Sequence, residues 1–147
     1  MKNILILFSL FMFSVTMSFG QMVVGTDTLY GNEWINHNQD YFKIEVSEDA
    51  IYQITEQTLT NAGIPVSTIQ GSEWQLFHLG NEVPIITSTN GVFGNGDHIE
   101  FFGEQNRAVL DSFLFQNPSE NLLNPYYSLF TDTTAYYLTW TSGATGL

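Results

Sequence analysis

The sequence predicts an all-β fold, a β-sandwich or jelly roll with one short helix, and three observations carry that expectation. Apolar and polar residues alternate in short runs, as in Tyr41–Val46, Ile51–Ile54, His98–Phe102 and Thr134–Trp140, and period-two alternation marks a strand with one buried face. Turn dipeptides separate these runs, among them Asn90-Gly91 and Asn95-Gly96, which suit the positive-φ positions of tight turns. Helical punctuation, by contrast, is confined to one short stretch after Thr55.

The chain opens with a segment that does not belong to the fold. Lys2 precedes an apolar run from Ile4 to Phe19, and Ser18 and Gly20 stand as small residues before Gln21. That is the anatomy of a secretory signal peptide over residues 1–20, and the run is shorter than the ~20 residues a spanning helix needs. With no Cys in the chain, a lipoprotein signal is excluded. Residues 21–40 form a polar, turn-rich N-terminal segment with a short strand at Val23-Val24.

The β-rich domain is expected over residues 41–140. Phe42, Ile44 and Val46 alternate with Tyr41, Lys43 and Glu45, and Ile51–Ile54 resumes the pattern after Ser47–Ala50, so the two runs predict a β-hairpin. Thr55 is placed to cap a helix carrying Glu56, Leu59 and Ala62, which Gly63 and Pro65 end. Trp74–Leu79 is a strand, Gly80-Asn81 its turn, and Glu82–Thr87 the return, with Pro84 marking an edge or a bulge. The stretch Asn90–Gly103 organises the rest: Asn95-Gly96 predicts a tight hairpin, and the following strand sends Ile99 and Phe101 one way and His98, Glu100 and Phe102 the other. Arg107–Phe115 is expected as a further strand, residues 117–125 as a loop bracketed by two Asn-Pro pairs, and Thr134–Trp140 as the last strand. Residues 141–147 are small and uncharged, like the start of a linker in a truncated chain.

Composition excludes whole classes of function. Once residues 1–20 are removed, Lys43 and Arg107 stand alone against 15 acidic residues. That balance argues against nucleic acid, which requires a basic footprint. The lack of Cys removes both a disulfide framework and a thiol nucleophile. No Gly-x-Ser-x-Gly elbow occurs, and His37, His78 and His98 fall in three separate segments. Asp97 with Glu100 invites a calcium reading, but the EF-hand spacing is missing, and an Asp at such a position more commonly holds the backbone of its own turn. Asp132 reads the same way, and Glu48-Asp49 reads as solvated charge at a tip. Trp34, Trp74 and Trp140 could stack on a sugar, yet such rings more often fill a core. No residue is assigned a catalytic, cofactor-binding or metal role, and no cofactor is expected.

A resemblance goes further than composition. The segments Tyr41–Thr55, Ala62–Ile64, Gln75–Pro84, Gly96–Gly103 and Asn124–Trp140 run in an order that resembles the N-terminal region of the gingipain-type cysteine peptidases of Bacteroidetes, particularly the PorU-like sortases of the type IX secretion system. The resemblance covers residues 41–140. It implies an exported protein of the periplasm, outer-membrane surface or exterior, in which this segment precedes a caspase-like α/β peptidase domain whose His and Cys lie downstream. Its implied partners are that domain, type IX components and cargo proteins, with no membrane span after signal cleavage. The family commonly has Gly where Ala50 stands, and since Ala tolerates positive φ poorly, a different turn is expected at this tip. A different class remains open: a free-standing secreted module that binds carbohydrate or protein.

Overall fold

The computed structural model describes residues 22–24, 27–29 and 31–143. The signal-peptide expectation for residues 1–20 lies outside them, as do residues 144–147 of the linker expected over 141–147. Within its described part, the Thr141 N–H donates to Glu73 C=O and the Gly143 N–H to Glu73 Oε1, so these residues are tied to the domain. Two units are distinguished, residues 1–33 and 34–147. In the first, β1 (Met22–Val24) pairs antiparallel with β2 (Asp27–Leu29). Among the described residues no helix is long and apolar enough to cross a membrane.

The second unit is all-β. Its strands are β3 (Phe42–Val46), β4 (Ala50–Thr55), β5 (Trp74–His78), β6 (Asn81–Val83), β7 (Ile86–Thr87), β8 (His98–Gly103) and β9 (Thr134–Trp140). They form two antiparallel sheets, ordered β3-β9-β5-β6 and β4-β8-β7. Each inner face follows the period-two rule: Val46, Trp74, Leu76, Tyr136 and Leu138 come from the first sheet, Ile99 and Phe101 from the second. The sheets meet where the Phe101 and Tyr136 rings lie 5.3 Å apart. Each such side chain contributes about 1.5–3 kcal/mol by leaving water.

The hairpin expected from β3 and β4 does not form. β3 pairs with β9 and β4 with β8, so the chain arches from one sheet to the other. The corner explains why. Asp49 Oδ1 accepts from the Gln105 N–H at 2.8 Å and Oδ2 from Arg107 at 2.6 Å, tying the corner to the segment after β8. Ala50 is not at positive φ. It pairs with Gly103, where a Cβ would come within 2.8 Å of the Tyr52 ring.

Helix α1 (Glu56–Asn61) forms as its punctuation predicts. Thr55 Oγ1 accepts from the Thr58 N–H, Leu59 is buried, and Gly63 takes a φ of 83°. The Gly63 N–H donates to Thr60 C=O and the Ile64 N–H to Leu59 C=O, the paired bonds that satisfy a helix end. A single further turn, α2, covers Pro118–Asn121.

Three other expectations shift. The β5–β6 turn is Leu79-Gly80, one residue earlier than Gly80-Asn81, with φ values of 50° and 81° and His78 opposite Asn81. The return does not continue to Thr87 in one sheet: β6 stops at Val83, and after Pro84 the chain enters the second sheet as β7. Asn95-Gly96 makes a tight turn, closed by the Asp97 N–H on Gly94 C=O, but this turn tops a longer loop, since β8 pairs with Ile86 and Thr87. That loop carries Phe93 into the core against Trp74.

Arg107–Phe115 is not a strand. Ala108–Leu114 winds as a 3-10 helix, and Asp111, buried at 6% exposure, accepts the Leu129 N–H at 3.1 Å. The apolar residues there are spaced in clusters three to four apart rather than alternately, which is the helical period.

Candidate functional site

One end of the sandwich opens into a cleft of about 190 Å³, lined by His78, Glu104, Arg107 and Thr134 among others. Three segments of the chain build it. His78 ends β5, Thr134 begins β9, and Glu104 and Arg107 follow β8. The antiparallel register sets His78 beside Tyr136, and the rings stack 4.1 Å apart at 8°. His78 Nε2 lies 3.0 Å from Thr134 Oγ1. The Tyr136 hydroxyl accepts the Glu104 N–H at 2.9 Å.

Two carboxylates face one guanidinium in the cleft. Arg107 contacts Asp49 at 2.6 Å and Glu104 at 3.7 Å, and its guanidinium carbon lies 6.0 Å from the Tyr126 ring centroid. Burial lowers the pKa of His78, with Glu104 pulling the other way, and burial raises that of Tyr136. His78 is therefore held below the ordinary histidine value in a half-buried stack. A hydroxyl beside a histidine is half of a nucleophile-base arrangement, but the base also needs an orienting group. Among the described residues no carboxylate is hydrogen-bonded to His78 Nδ1. The cleft therefore holds a hydroxyl and an imidazole in contact, without the third, orienting group among the described residues.

His78 has a measurable consequence. Its pKa is depressed in the fold, so the unfolded chain binds the proton more tightly and stability rises with pH through the histidine range. Acidifying from the neutral side through about pH 6.5 is expected to lower the urea midpoint, with His78→Gln flattening that part of the profile. NMR titration should place His78 below the ordinary histidine value. A value at or above it contradicts the stack as described.

The structure does not bring the sequence candidates together. His37 is exposed. His98 lies on the outer face of the second sheet, 3.5 Å from Glu100, on the opposite side of that sheet from the core. Asp97 is committed to its turn: it accepts from the Gly94 N–H at 2.7 Å and from Ser88 Oγ at 2.7 Å, and these bonds hold its carboxyl below the usual range. Asp132 accepts the Asn106 N–H through its backbone. Among the described residues no group of three His, Asp or Glu side chains is placed to hold a metal ion. Trp74 and Trp140 meet in the interior at 5.7 Å, whereas Trp34 packs on Phe77 on the outer face of the first sheet.

Sequence inspection missed Glu104, Arg107, Thr134 and Tyr136. The one signal that could have found the cleft is Arg107, one of two basic residues left after Lys2.

No protein-family model, curated protein or solved structure matches this chain.

Proposed function

We propose that this chain is the non-catalytic, β-rich N-terminal domain of an exported gingipain-like cysteine peptidase, of the PorU-like type IX sortase kind. The supporting observation is where the resembling segments fall. Tyr41–Thr55 is the β3–β4 arch, Gln75–Pro84 the β5–β6 hairpin, Gly96–Gly103 contains β8, and Asn124–Trp140 ends in β9. These pieces, far apart in sequence, are the strands of one sandwich, so the ordered resemblance follows a single folding unit rather than scattered hairpins. The absence of Cys agrees with a thiolate supplied by another part of the parent protein. In that parent, a Cys activated by His cleaves cargo, while this domain shields, positions or docks the catalytic domain.

Purified chain is accordingly expected to show no turnover on peptide substrates across the neutral range. Hydrolysis that survives repurification and that His78→Ala abolishes contradicts the non-catalytic assignment.

A further inference from the structure

Each of the two larger sheets has two outer strands. An outer strand leaves every second N–H and C=O without a ladder partner, and proteins commonly blunt such edges with charge, proline or brevity. Three of the four are blunted here. β3 carries Lys43 and Glu45, β6 has three residues and runs into Pro84, and β7 has two residues. β4 is different: its six residues, Ala50–Thr55, include no charge, proline or glycine.

The direction of its free groups follows from the ladder. The Glu56 N–H donates to Asp97 C=O at 2.8 Å, in register with the Ile54–Ile99, Tyr52–Phe101 and Ala50–Gly103 pairs. Alternation then turns the N–H and C=O of Ile51 and Gln53, and the N–H of Thr55, away from β8. Among the described residues these groups have no backbone partner across the open side. On the adjoining outer face, Ile51 and Phe102 stand opposite each other, 74% and 57% exposed.

We propose that β4 is a strand-addition site that takes an extended segment of a partner polypeptide, apolar at alternate positions and basic at its flanks. The backbone groups supply the ladder, and the Ile51–Phe102 patch receives an apolar side chain from the same face. Charge selects the flanks: Glu48 precedes the strand, Glu56 follows it, and the chain carries a net charge of −12. A second copy is disfavoured because it brings the same acids and the same net charge.

The test uses the full chain and a labelled probe peptide alternating valine and threonine, with lysine at both ends. Saturable binding by fluorescence anisotropy is expected, with amide exchange at Ile51, Gln53 and Thr55 slowed at least about tenfold and Tyr52 and Ile54 protected throughout. Replacing the terminal lysines with glutamate should weaken binding by about tenfold or more. Gln53→Pro removes an outward donor while sparing the ladder to β8, and should weaken it similarly. If that variant does not fold, Gln53→Lys, which sets a charge on the edge, should do the same. Absence of saturable binding, or binding without protection at those three amides, overturns the proposal. Protection that grows with protein concentration without the probe, together with a sedimenting dimer, assigns the edge to a second copy and also overturns it.

Discussion

Replacing Trp74 with alanine is expected to destabilise the domain by about 3–5 kcal/mol. The ring is fully buried, it tilts against Phe93 at 5.9 Å, and it meets Trp140 edge-on at 5.7 Å. Its loss opens a cavity where the 88–97 loop and β9 converge on the core. The indole N–H has no hydrogen-bond partner among the described residues, so truncation strands no polar group. Trp74→Phe, which keeps most of the volume and removes the buried donor, should cost much less. Urea denaturation of the two variants checks the ordering. A Trp74→Ala cost under about 1 kcal/mol, typical of exposed positions, would contradict the burial described here.

The second large effect concerns a glycine whose backbone dihedral is ordinary. A Cβ on Gly71 would lie 1.8 Å from the Thr89 carbonyl oxygen and 3.2 Å from the Phe93 ring. The obstruction is main chain, and the Gly71 N–H is already tied to Gly91 C=O at 2.8 Å. Two bonded segments must therefore part. Gly71→Ala should cost on the order of 3 kcal/mol, near the upper end for overpacking. Gly96→Ala makes the contrasting case: space there is open, but φ is 93°, so its cost is conformational and about 1–2 kcal/mol. Thermal unfolding of both variants separates the mechanisms; equal midpoints would show that the Gly71 contact relaxes freely.

These effects also mark what the sequence made legible. Alternation separated the two faces of β3 and β8, because a strand's period is local, whereas in β4 the apolar Ile51 faces outward at 74% exposure. It could not tell which sheet each strand joins: the β3–β4 arch depends on Asp49 meeting Gln105 and Arg107, a contact distant in sequence. The caps of α1 were legible because Thr55 and Gly63 act within one turn. Ala108–Leu114 was mistaken for a strand because its apolar content was weighed without its spacing. Pro84, read as an edge or a bulge within the return strand, instead lies between β6 and β7, where the chain changes sheet. The cleft was illegible for a different reason. Asp49, His78, Glu104, Arg107 and Thr134 form no motif and come together only through the fold.

The coding sequence that follows the codon for Leu147 tests the functional account most directly. An open frame that enters an α/β region containing a His and a Cys is the result the proposed function predicts, because the sequence holds no Cys to supply a thiolate. An immediate stop, or a continuation lacking either residue, contradicts the peptidase assignment and favours a free-standing binding module.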